Sequence, residues 1–176
     1  LDLSRALQDV LSILSNTLHM ERATVTLLDR DSGHLGIIAS HGLSASERRR
    51  GVYRITEGVT GKIFRTGQAI HVPNVADDPL FLDKTGARGS VQDHIAYTGV
   101  PIILNSEPIG VLSVDRLFSN DVSVQEDIEF LNVVATLIAQ FISLSETIRQ
   151  REEALRRENV SLKYQLSKEA RGLYIV

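Results

Sequence analysis

The side chains that most often carry chemistry are present, but not in the groupings that chemistry needs. His19, His34, His41, His71 and His94 are scattered along the chain. None forms a His-x-x-x-His pair on a helix, the spacing that puts two imidazoles on one metal. Gly58 to Lys62 looks superficially like a phosphate-binding loop. Only Val59 and Thr60 separate its glycines, however, and Ile63 stands where a Ser or Thr would hold magnesium. Glycines for a strand-to-helix turn explain that stretch better. No serine lies in a Gly-x-Ser-x-Gly elbow. There is no cysteine, which removes thiolate metal sites, disulfides and cysteine nucleophiles. The sequence therefore predicts neither an enzyme nor a metal site.

A binding segment is the stronger candidate. Pro73 to Asp93 is long for a loop inside a compact domain, and such loops are commonly functional. It carries acids (Asp77, Asp78, Asp83, Asp93), bases (Lys84, Arg88), an apolar hook (Phe81, Leu82) and glycines (Gly86, Gly89). A segment of this kind can fold over the face of a sheet as a lid. Taken singly, Lys84 and Arg88 read as solvated loop charges. Phe81 reads as packing, and His94 and Tyr97 as core-edge residues with satisfied polar tips. Asp115, ending an apolar run, reads as a cap for the turn before Ser119-Asn120.

The elements that must position this segment follow from periodicity. Leu3, Leu7, Val10, Leu11, Leu14 and Leu18 recur at helical spacing, so residues 1–19 form an amphipathic helix. Strands are expected at Ala23–Asp29 and Leu35–Ser40, joined by the turn Asp31-Ser32-Gly33. A short charged segment runs to Arg50. A strand at Val52–Ile55, a helix at Gly58–Thr66 stopped by Gly67, and a strand at Ala69–Val72 come next. Ile95–Leu104 and Ile109–Asp115 are the most strand-like runs, joined by a turn at Asn105-Ser106-Glu107-Pro108. Strands and helices do not alternate regularly, so the class is α+β: an antiparallel sheet with flanking helices.

From Ser123 to about Leu166 the sequence predicts one long helix, with Ser123 as N-cap and Glu126 completing a capping box. Val134, Phe141, Ile148, Leu155 and Leu162 lie seven apart. Taken as d positions, they set Leu131, Ile138, Ser145, Glu152, Asn159 and Leu166 at a. A seven-residue repeat calls for a left-handed supercoil with a second helix. A homodimer through Phe141, Ile148, Leu155, Asn159 and Leu162 is expected, with Asn159 fixing register and Ser145 and Glu152 weakening the seam. The alternative is a single amphipathic helix on its own domain, which fits the first half well. Two regions follow: a globular domain at 1–145 and a coiled-coil linker helix at 146–176.

The 176 residues suffice for one domain with a sizeable core. A net charge of -3 gives no sign of a general polyanion-binding surface. No signal peptide is recognisable, and no apolar run is expected to reach membrane length. Absence of cysteine fits a reducing compartment, so a cytoplasmic location is expected. The start at Leu1 is that expected of a piece of something longer.

Several phrases together carry a family resemblance. They are Glu57-Gly58-Val59-Thr60-Gly61-Lys62 with Thr66-Gly67-Gln68, then Val72-Pro73-Asn74-Val75, Val100-Pro101-Ile102, and Ile109-Gly110-Val111-Leu112-Ser113-Val114-Asp115. In this order the chain resembles a GAF domain. Asp78 to Arg88 is similar, more narrowly, to the amino-terminal GAF domain of the NifA family of nitrogen-fixation activators. That resemblance implies a GAF-like fold and a regulatory domain feeding a downstream AAA+ ATPase. It implies work with the sigma-54 polymerase, and contact with DNA, ATP and polymerase only through domains outside this chain. GAF domains imply a small-molecule pocket between sheet and covering segment, and some NifA relatives resemble sensors of 2-oxoglutarate. A dicarboxylate needs fixed cations and hydroxyl donors. Arg88, Lys84, Ser90, His94 and Tyr97 are the ligand candidates on that basis, with Arg54 and Arg65 behind them. A regulatory protein is a second conceivable partner, and no cofactor is expected. The alternative function is a ligand-free dimerisation scaffold of a histidine-kinase or cyclase type. Bilin attachment and a GAF-type sulfoxide reductase both need cysteines, the cyclic-nucleotide residue set is not found, and an iron site has little support.

Overall fold

The computed structural model describes residues 2–88, 94–117 and 123–173. The chain divides into two compact units, Leu1–Gln140 and Phe141–Val176. The first unit is built on a six-stranded sheet. Its strands are β1 (Arg22–Asp29), β2 (His34–His41), β3 (Val52–Arg54), β4 (Ile70–Val72), β5 (Ile95–Leu104) and β6 (Glu107–Leu117), in the order β3-β2-β1-β6-β5-β4. Every pairing is antiparallel. The expected α+β class with an antiparallel sheet is therefore observed. The β5–β6 turn is tight because Asn105 and Ser106 both take positive φ, 52° and 67°, the geometry that matches the twist of the flanking strands.

Helix α1 (Leu3–Leu18) packs on β2 and β1. Asp2 caps it, and Leu7, Leu11 and Leu14 supply its buried stripe. The Ser4 hydroxyl donates to the Ile38 carbonyl at 2.6 Å and ties the helix to β2. The charged segment before β3 is a helix, α2 (Ala45–Arg50), with a complete Ser44–Glu47 capping box. Helix α3 (Gly58–Thr66) packs on β6, β5 and β3. Its glycines serve the chain turn, as the sequence implies. Gly58 has φ +67°, and a Cβ on Gly61 would stand 2.8 Å from the Ile55 carbonyl oxygen. Val59 and Ile63 of α3 join Val72, Val75, Ile95, Tyr97 and Val111 in one buried cluster. The segment after β4 opens with a 3-10 turn at Val75–Asp77.

Helix α4 (Val124–Leu173) starts where the sequence places it. The Ser123 hydroxyl accepts the Glu126 backbone N–H at 3.3 Å. It runs beyond Leu166 and through Gly172, since one glycine costs a helix only about 1 kcal/mol. Leu131, Ala135, Ile138 and Ala139 are buried, while Phe130, Val133 and Leu137 are exposed. An 18-residue window of this helix, of mean hydropathy 1.6, matches a membrane span by length and composition. The expectation that no run approaches that length is corrected here. The physical reason is that α4 carries apolar residues on two faces, one of which the domain core takes up. In the second unit Leu155 and Leu162 are exposed, at 66% and 51%. Arg149 pairs with Glu146 and Glu153 along the helix surface.

Gly99 shows how closely α3 sits on the sheet. A Cβ there would lie 2.5 Å from Ile63 Cδ1 and 2.8 Å from the Tyr97 hydroxyl oxygen. Gly99→Ala is expected to cost about 1–3 kcal/mol by overpacking, read as a lower urea midpoint at unchanged slope.

Candidate functional site

Strand alternation sets out the site. On one face of the sheet Arg22 and Thr24 of β1 stand opposite Asp115 and Ser113 of β6. Tyr97 of β5 is the other neighbour of Asp115. The intervening residues Ala23, Val25, Leu112 and Val114 point the opposite way and are buried. The result is a row of polar groups on a sheet face. Such a face is ordinarily left to water, but here residues 81–88 cover it together with α3.

Asp115 is 2% exposed. Its Oδ1 accepts Arg88 Nη2 at 2.8 Å, and its Oδ2 faces Arg22 Nη1 at 3.5 Å. Arg88 also donates through Nη1 to Asp83 Oδ1 at 3.1 Å. Burial pushes the Asp115 carboxyl up from its ordinary value against the opposing pull of Arg88 and then Arg22. This corrects its reading as a turn cap: β6 runs on to Leu117, and Asp115 is the buried hub of an ion cluster. The Ser119-Asn120 turn lies outside the described residues.

The lid is held by arginines. Arg22 Nη2 donates to the Ala87 carbonyl at 3.0 Å. Arg50, from α2, donates to the Thr85 carbonyl through Nε at 3.0 Å and Nη2 at 2.6 Å. The Arg88 guanidinium lies over the Phe81 ring, 4.6 Å from its centroid. Phe81 in turn meets Tyr97 edge-on at 5.2 Å.

Beneath the lid is a cavity lined by Arg22, Thr24, Tyr53, Thr60, Arg88, Tyr97, Ser113 and Asp115 among others. Its volume is about 30 Å³, room for about two waters by the usual requirement of 10–15 Å³ each. The lining holds polar atoms that nothing satisfies. Arg88 Nε and the Tyr97 hydroxyl are buried without a hydrogen-bond partner. Thr60 and Ser113 lie near enough to that hydroxyl to temper the effect of its burial. Such orphans cost about 1–3 kcal/mol each, so water or a ligand belongs here. Burial raises both the Tyr97 and Tyr53 phenols, which stay protonated and can donate.

Of the candidates read from sequence, Arg88 and Tyr97 meet in this cavity. Lys84 does not line it: its ammonium pairs with Glu57 and lies 5.5 Å from the centre of the Tyr53 ring. His94 is exposed, one residue before β5. Arg54 is exposed, and Arg65 donates to the Ile55 carbonyl. Ser90 lies outside the described residues. Arg22, Arg50, Thr24, Ser113 and Asp115 were not candidates. The available signal was the alternation Arg22-x-Thr24-x-Thr26 and Ser113-x-Asp115. Among the described residues no cluster of three His, Cys, Asp or Glu could hold a metal.

The sequence model described as GAF domain matches residues 2–142. The chain belongs to the GAF family. It is similar to a Nif-specific regulatory protein of Herbaspirillum seropedicae, 40% identical over 99% of this chain and 32% of that protein. It is also similar to the nitrogen fixation protein VnfA of Azotobacter vinelandii, 34% identical over 99% of this chain and 34% of that one. The chain thus spans about a third of the length of these relatives. In structure it is similar to the GAF domain of A. aeolicus nlh2 in an inactive state, with a TM-score of 0.72, 27% identity, and coverage of 81% and 85% of the two chains. The cavity of this GAF domain is thus an arginine-bearing site beneath residues 81–88.

The latch makes a direct prediction. Arg88→Met leaves the buried Asp115 without its best partner and should cost about 3 kcal/mol. Limited proteolysis should then cut at 78–88 much faster than in the unaltered GAF domain.

Proposed function

We propose that this chain is the sensory GAF domain of a bacterial activator of nitrogen-fixation genes. It binds a small carboxylate, and 2-oxoglutarate is the first ligand to test. The observation that carries the reading is the pair Arg22 and Arg88 around a lidded cavity whose Arg88 Nε and Tyr97 hydroxyl lack partners. Arginine forks and hydroxyls are the groups that recognise carboxylates. The similarity to regulators named for nitrogen fixation supports the process.

Ligand occupancy is passed to a downstream AAA+ ATPase working with the sigma-54 polymerase. The carrier is α4, paired in a homodimer through Phe141, Ile148, Leu155, Asn159 and Leu162. Exposure of Leu155 and Leu162, seven residues apart along the helix, favours pairing. Residues 1–145 act as sensor and 146–176 as linker. A regulatory protein can bind the same domain, while DNA, ATP and polymerase are met elsewhere in the longer protein. The site of action is the cytoplasm, where the genes are read.

A second reading is a ligand-free dimerisation scaffold, as in kinase- or cyclase-type signalling proteins. The 30 Å³ cavity and the neutralised arginines favour it.

Thermal shift with 2-oxoglutarate and related metabolites separates the two. A ligand at 100 times its Kd should add about 2.7 kcal/mol to stability, and no shift with any of them leaves the scaffold. Light scattering should find a dimer that Leu155→Asp with Leu162→Asp converts to monomer. A monomer before substitution removes the pairing.

A further inference from the structure

We propose that Asp115 is a built-in competitor for the ligand: its carboxylate fills the position on Arg88 and Arg22 that a ligand carboxylate takes, and keeps the lid shut until displaced. The inference rests on the carboxylate-sensing reading above and adds how the site excludes and admits its ligand.

The geometry is that of a bound anion. One carboxylate bridges two guanidiniums, with Oδ1 on Arg88 Nη2 at 2.8 Å and Oδ2 facing Arg22 Nη1 at 3.5 Å. Those two groups are the only cations among the described residues lining the cavity. Arg22, Arg88, Asp83 and Asp115 sum to zero charge. A dicarboxylate entering this arrangement would add two negative charges to a buried site that has none to spare. Protonation of Asp115 brings these four groups to +1 and so offsets half of the charge that enters.

The same groups hold the lid. Arg88 belongs to it, and Arg22 donates to its Ala87 carbonyl. A ligand carboxylate that takes these guanidiniums therefore loosens the lid in the same event. Space demands this as well, since 30 Å³ holds waters and not a dicarboxylate.

Displacement leaves Asp115 buried without its counter-ions, and a carboxyl in that position takes a proton. The groups facing it are Arg22 from β1, Arg88 and Asp83 from the lid, Tyr97 from β5 and Tyr53 from β3. No histidine is among the described lining residues. Both phenols are already protonated at neutral pH, so the proton taken up on binding is assigned to Asp115.

Calorimetric titration of the unaltered chain at pH 7 with 2-oxoglutarate and with succinate tests this. Each is run in phosphate and in Tris, whose ionisation heats differ. The expected result is uptake of about one proton per ligand bound, with affinity falling on the order of tenfold per pH unit above neutrality. Asp115→Asn should bind on the order of tenfold more tightly and take up no proton. Binding without proton uptake overturns the competitor role and leaves the sensor reading standing. So does a folded Asp115→Asn protein that binds no better. No binding by either chain overturns both. The proton count comes from the unaltered chain, so it decides even if Asp115→Asn fails to fold.

Discussion

A carboxylate buried between two guanidiniums is costly in isolation, and the architecture around Asp115 follows from keeping it paired. Taking an ion pair from water costs several kcal/mol, recovered only with good geometry and further hydrogen bonds. The sheet supplies the geometry by placing Arg22 and Asp115 opposite each other on adjacent strands. The lid supplies the rest by bringing Arg88, with Asp83 behind it. Neither half closes the balance alone. The polar strand face needs the lid, and the lid, with little regular structure, needs the face to dock on.

The apolar framework serves this arrangement. Phe81 places the lid against Tyr97, and the Arg88 guanidinium lies over the Phe81 ring. Gly99 lets Tyr97 lie along the sheet under Ile63. The packing holds the donors and leaves two of them unsatisfied. A core selected for stability alone would not retain such defects. Their place beside a cavity fits a group that awaits a ligand or water.

Much of the fold was legible because each element carries its own local pattern. The helical repeat of Leu7, Leu11 and Leu14, the cap at Ser123 and the strand-like apolar runs of β5 and β6 all act within a few residues. The GAF phrases added the family. Less of the site could be read. Arg88 and Tyr97 could be named as cavity-lining candidates because the segment containing one and preceding the other looks like a lid. Arg22 and Asp115 were missed because polar residues alternating with Ala23, Val25, Leu112 and Val114 resemble a solvent face. Their cover comes from Ala87, 65 residues beyond Arg22, and no local rule reports that. The position of Lys84 outside the cavity lining is equally illegible locally, since its partner Glu57 lies 27 residues away. The charged segment at Ala45–Arg50 hid a capped helix whose last arginine reaches the lid.

Two of the arginines that secure the lid grip main-chain carbonyls, those of Thr85 and Ala87. A carbonyl oxygen is present whatever the side chain. Evolution can therefore rewrite the outward residues of this strap without losing the anchorage. Domains built this way can diverge in surface while sharing one clasp.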